Sequence, residues 1–161
     1  MARPRPAPPL ANPARELYYH KGIRMIDTSI LQVDEITRRV TLKFSPKGVK
    51  GLTKLMQIVV LSLLNNPGKD ILDPEVGAGI PEMIGMNIDP QDLTEILSEI
   101  TRRVRKCESE VINNQIGLDL SSDERLQELR IISVAPGGNT GDVDVTLRIY
   151  NELGKHSDVV L

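Results

Sequence analysis

Apolar residues recur at three- and four-residue intervals through Val49, Leu52, Leu55, Met56, Val59, Val60, Leu63 and Leu64. That spacing predicts one broad apolar stripe on a helix of roughly 18 residues, about 27 Å long. Asn65, Asn66, Pro67 and Gly68 stop it, because proline cannot continue the hydrogen-bond ladder while Asn and Gly tolerate left-handed backbone. Lys69–Gly79 is then a compact loop. Asp73-Pro74 favours an extended or turn conformation at Asp73, and Gly77 and Gly79 permit backbone angles closed to other residues.

Ile80–Met86 reads as a short apolar turn of helix with Pro81 in its first turn. Asp89 as N-cap and Pro90 at the first helical position open the longest helix, which runs to about Gln115. Asp92 and Glu95 lie where the helix dipole favours negative charge. Leu93, Leu97, Ile100, Val104, Cys107 and Val111 alternate steps of four and three, a heptad seam. Ile96 and Ile112 widen it, and Arg102, Arg103, Arg105 and Lys106 form a basic side. About 26 residues span roughly 39 Å, whereas a compact domain of about 115 residues measures nearer 30–35 Å. One end of this helix is expected to project. The seam then has two readings, the domain's own core or a bundle with partner chains.

Strands flank the helices. Ser29–Val33 and Thr37–Phe44 read as a hairpin around Asp34-Glu35, with Val40, Leu42 and Phe44 alternating with Thr41 and Lys43; Ser45–Gly48 ends it. Gly117 closes the long helix. Leu129–Val134, a turn at Pro136–Gly141, and Val143–Tyr150 form a second hairpin in which Val143, Val145, Leu147 and Ile149 face one way, with Asp142, Asp144, Thr146 and Arg148 opposite. A turn at Asn151–Lys155 leads to the terminal Ser157–Leu161. The expected class is α+β: an N-terminal arm and β-hairpin, two main helices with a Gly/Pro-rich loop between them, and a small antiparallel C-terminal sheet. By residue number the arm is 1–21, the hairpin 22–47 and the main domain 48–161, with helices over 48–116 and sheet over 126–161.

Composition refines this picture. Forty per cent hydrophobic residues can supply a core, but with Phe44, three Tyr and no Trp that core must be Leu, Ile and Val. The single cysteine, Cys107, excludes an internal disulfide and suits a reducing compartment. No apolar run reaches membrane-spanning length and no apolar signal core opens the chain, so a soluble protein is expected. The net charge of −2 hides an asymmetry. Residues 1–24 carry five basic side chains against Glu16, a balance of +4 that leaves −6 for the rest. Five prolines before Ala14 make the start polyproline-like. Leu17, Tyr18 and Tyr19 make it either a solvated tail or an arm that docks on an acidic neighbour.

An apolar helix with Gln57 near its middle, followed by Pro67-Gly68, Asp73-Pro74, Gly77 and Gly79, resembles the small baseplate wedge proteins of contractile phage tails. That family is shared with a baseplate component of type VI secretion systems, and its members are often labelled lysozyme-like. The resemblance covers about Gly48 to Leu161. It implies a structural virion subunit in the tail baseplate, assembled in the host cytoplasm. Its helical part is expected to join larger wedge proteins around the central hub or tube, and its C-terminal sheet to template the first ring of tail sheath. The hairpin lies outside the family core and reads as an elaboration. The family carries Glu-Pro-Arg just before its sheet, where this chain has Asp123-Glu124-Arg125. The arginine is retained and the proline's rigid turn is not.

The expected partner contacts are Tyr18 and Tyr19 in the arm, Asp73 in the loop, Leu97, Val104 and Val111 on the seam, and Asp123, Glu124 and Arg125. Val159, Val160 and Leu161 complete them as a free terminal strand suited to strand addition. An alternative is a peptidoglycan-degrading, lysozyme-like enzyme, and a second is a helical adaptor unrelated to tails. Glycoside hydrolysis needs two carboxylates flanking a sugar, for which Glu75 and Glu82 are the best placed. The domain has almost no aromatic faces to stack a sugar, so no enzyme activity is expected. His20 and His156 lack metal-ligand neighbours, no Ser sits on a nucleophile elbow, and Pro136–Gly141 lacks the Lys-Ser/Thr of a phosphate loop. No cofactor, metal, small-molecule ligand or membrane is expected. Arg102–Lys106 lacks the aromatics and fold module that would favour nucleic acid.

Overall fold

A computed structural model of the chain describes residues 28–34, 36–69, 76–83, 93–136 and 143–161. The arm, the Asp89 cap, Asp73, Glu75 and the Pro136–Gly141 turn beyond Pro136 lie outside these residues. In order the elements are β1 (Thr28–Val33), β2 (Val40–Gly48), α1 (Gly51–Leu64), a 3-10 turn (Ile80–Met83), α2 (Leu93–Gln115), β3 (Leu126–Pro136), β4 (Val143–Asn151) and β5 (His156–Val160). The class is α+β. One antiparallel sheet is the hairpin β1–β2, and the other is β3–β4–β5 in that order. Strand β2 continues through Pro46 to Gly48 instead of ending at Ser45, and register shifts between Thr28 and Leu31 accommodate it.

Period and burial agree over most of the core. Leu55, Val59, Val60 and Leu63 of α1 meet Ile100, Val104, Cys107 and Val111 of α2, and Val145, Leu147, Ile149 and Val159 roof them from the sheet. Leu31 of β1 is only 4% exposed and belongs to the same cluster. The hairpin is therefore packed on the core rather than appended to it.

Helix α1 begins at Gly51 and ends at Leu64, 14 residues. Leu64 falls off the buried stripe and is partly exposed. Where the helix stops, the loop returns across its end: Ala78 N–H donates to the Ser62 carbonyl at 3.0 Å and Gly79 N–H to the Asn65 carbonyl at 2.9 Å. Gly77 and Gly79 take φ of 114° and 68°. A Cβ on Gly77 would stand 2.3 Å from the Asn65 carbonyl oxygen, so only glycine fits there.

The two helices run antiparallel. Cys107 Sγ lies 3.8 Å from the Val59 carbonyl oxygen, and Gln115 reaches the Glu124 segment that sits on the start of α1. From that crossing α1 continues five residues to Leu64, whereas α2 extends fourteen back to Leu93. The first turns of α2 thus reach beyond the end of α1, with Ile96 and Ile100 on them still buried in the core. Among the described residues no helix is long and apolar enough to cross a membrane.

Candidate interaction surfaces

The seam of α2 belongs to the protein's own core. Val104 and Val111 are 2% and 3% exposed and packed in the cluster with α1, so neither is a partner contact. The buried face runs Ile96, Ile100, Arg103, Val104, Cys107, Val111 and Gln115, rotated from the heptad seam. Leu97 falls outside it, 44% exposed on the overhanging part of α2. Burial pushes the Cys107 thiol up to about 12, which makes it an inert core residue.

The basic side is neutralised from within. Arg103, 7% exposed, donates to Glu99 Oε1 at 2.7 Å, to the Ala78 carbonyl at 2.9 Å and to the Gly79 carbonyl. Lys106 Nζ donates to the Gly77 carbonyl at 2.8 Å, and Gly77 N–H to Glu110 Oε2 at 3.0 Å. Arg102 pairs with Glu99, and Arg105 with Glu108. Hydrogen bonds from Arg102 and then Arg103 hold the Glu99 carboxyl down to about 2. Thus Gly77, Ala78 and Gly79 are clamped to α2, and Glu82 joins the clamp through Arg103 at 3.4 Å.

Asp123, Glu124 and Arg125 also turn inward. Gly51 N–H donates to Glu124 Oε1 at 3.1 Å and Lys54 Nζ to Oε2 at 3.1 Å, so this carboxylate caps α1, whose Lys50 cap has no side-chain bond. Asn151 Nδ2 donates to the Asp123 carbonyl at 3.2 Å. Arg125 donates to the carbonyls of Leu118 at 2.8 Å and Leu120 at 3.1 Å, holding the turn between α2 and β3. These residues join the ends of α1, α2 and β4.

The C-terminal sheet has two outer edges. Reciprocal bonds between Val145 and Leu161, 3.2 and 3.0 Å, and the Asn151 N–H bond to the Lys155 carbonyl, 3.0 Å, set odd-numbered residues of β4 toward β5. Even-numbered residues then face β3, so Leu126 and Leu129 turn their N–H groups away from β4. Both find acceptors on α2: Gln115 Oε1 at 2.8 Å for Leu126 and Glu108 Oε1 at 3.0 Å for Leu129. Gln115 Nε2 also donates to the Glu124 carbonyl at 3.0 Å.

The terminal residues form β5 rather than a free strand. Val159 is fully buried opposite Leu147, and Leu161 is bonded to Val145. On the outward side His156, Asp158 and Val160 direct their backbone groups away from β4. Val160 N–H donates to the Arg38 carbonyl at 2.9 Å, beside a parallel bridge between Arg39 and Val160. Arg39 Nη2 reaches both oxygens of Asp144, at 2.8 and 2.6 Å. On the solvent face Arg148 grips Asp158 at 2.7 and 2.8 Å, which raises the arginine and lowers the carboxyl. Arg130 lies 5.2 Å over the Tyr150 ring.

Tyr18, Tyr19 and Asp73 fall outside the described residues. Sequence reasoning missed Arg39, Glu108 and Gln115. Glu108 and Gln115 stand seven apart on one helix, a spacing legible as one face, but their backbone partners leave no periodic trace. Among the described residues no group of three or more His, Cys, Asp or Glu could hold a metal ion. Comparison with protein-family models, curated proteins and solved structures finds no match for the chain.

Proposed function

We propose that this chain is a structural subunit of the baseplate wedge of a contractile tail, acting through contacts and not through catalysis. The overhang of α2, with Leu97 exposed on it, is the surface offered to larger wedge proteins. The C-terminal sheet is the surface offered to the first ring of sheath. Its three strands make a sheet small enough to gain from a further strand.

The observation that carries this reading is the β5 edge, whose backbone groups point away from their own sheet in the manner that strand addition requires. The resemblance of Gly48–Leu161 to the wedge family supplies the setting, in the tail baseplate of a virion built in the host cytoplasm. Glu82, one of the two acids a hydrolase would need, is ion-paired with the buried Arg103 and serves the loop clamp. Tagged protein recovered with assembled tails should bring larger baseplate subunits and sheath, and purified protein should leave cell walls intact in a lysis assay. Tails that form without this chain would contradict the proposal, and wall lysis would favour the enzyme.

A further inference from the structure

We infer that Arg38 and Arg39 are displaceable occupants of a strand-binding edge. On this inference the outer edge of β5 takes an extended segment of another chain, running parallel to β5 and bearing Arg or Lys in the place of Arg39. The inference rests on the strand-addition reading above and identifies its edge, its direction and its gate.

Three features converge on it. First, the hairpin already shows how a strand sits there: Arg38 supplies the carbonyl to Val160 N–H at 2.9 Å, and the bridge between Arg39 and Val160 is parallel. Second, the occupancy is slight. It consists of one isolated bridge, an ion pair whose arginine is 55% exposed, and the charge of Arg38 near Asp158. Third, the hairpin does not depend on the contact. Leu31 is buried in the core, Val33 and Val40 pack against it, and Asp34 builds the turn by accepting from Ile36 N–H at 3.0 Å and Thr37 N–H at 2.7 Å.

Charge selects the replacement. When Arg39 leaves, Asp144 loses both of its bonds from the guanidinium, whereas Asp158 keeps Arg148. An incoming segment with a cation at that register restores the pair, and an acidic one would be repelled.

The test uses the full chain and follows amide exchange of Val160 by NMR. Arg39→Ala and, separately, Asp144→Asn should each speed that exchange by about fivefold, the upper range for an exposed ion pair, while Leu129 is unchanged. A synthetic peptide of residues 36–42, ITRRVTL, should restore slow exchange to Arg39→Ala protein. The same peptide with alanine in place of the second arginine should not. Unchanged Val160 exchange in both variants, or equal protection by the two peptides, overturns the inference. Because no tail is present, these results stand apart from the baseplate reading: an edge that behaves as described in a protein that never enters tails would remove that reading alone.

Discussion

The two edges of the C-terminal sheet are closed by opposite means. Along β3, Leu126 and Leu129 give their outward N–H groups to Gln115 and Glu108, side chains of a helix whose other face is the core. Along β5, Val160 gives its N–H to the backbone of a hairpin turn, steadied by a half-exposed ion pair. The first closure, over the Leu126–Leu129 end of β3, cannot open without moving α2. The second rests on exposed residues of a hairpin turn. An exposed edge invites uncontrolled pairing, and this protein covers one edge with a helix and the other with a hairpin turn. That difference is why we propose β5 as the edge for a partner.

The largest expected effect comes from breaking the helix that covers β3. Val104→Asp places a carboxylate at a position 2% exposed and should cost several kcal/mol, enough to abolish cooperative unfolding of the isolated protein in circular dichroism melts. A native-like melt would show that α2 is not held by its own core.

The cover itself should come next. Gln115→Leu leaves the Leu126 N–H and the Glu124 carbonyl without the partners they have now, an expected loss of about 1–3 kcal/mol in denaturant unfolding. A loss near zero would place the β3 edge on the same footing as β5.

The hydrophobic pattern made the helices and β4 legible because burial follows period. Val145, Leu147 and Ile149 are buried as their alternation predicts, and Gly77 and Gly79 take the conformations expected of them. The sites were less legible. Arg103 reads as part of a charged stripe until the Gly/Pro-rich loop supplies its acceptors, and Glu124 caps a helix start 73 residues earlier in the chain. Arg39 and Asp144 meet across 105 residues. Such bonds join polar side chains to distant backbone or to each other, and neither period nor spacing announces them.

Acid should distinguish the clamp on α2 from the rest. Glu99 is held down to about 2 by Arg102 and Arg103, against an ordinary value of 4.5. Its depressed value contributes stability above about 4.5 that declines below it and is lost as pH falls through about 2. Glu99→Gln should lower stability at neutral pH and flatten its fall between those values, as followed by thermal melts across the range. An unaltered slope would mean that Glu99 carries no such linkage.

The smallest effect belongs to the overhang of α2. Leu97→Asp, at a position 44% exposed, should change the isolated protein's stability by no more than about 0.5 kcal/mol while weakening recovery of the larger wedge proteins. Equal recovery would remove the overhang as a contact.

The central claim is that the β5 edge receives a strand of tail sheath. His156 is exposed at the start of β5 and Cys107 is buried, so His156→Cys creates a single accessible thiol at that edge. Assembled tails carrying this variant, treated with a short thiol-reactive crosslinker and analysed by mass spectrometry, should yield a crosslink from position 156 to a sheath subunit. Complete sheathed tails in which position 156 links only to its own chain or to non-sheath subunits would contradict the account.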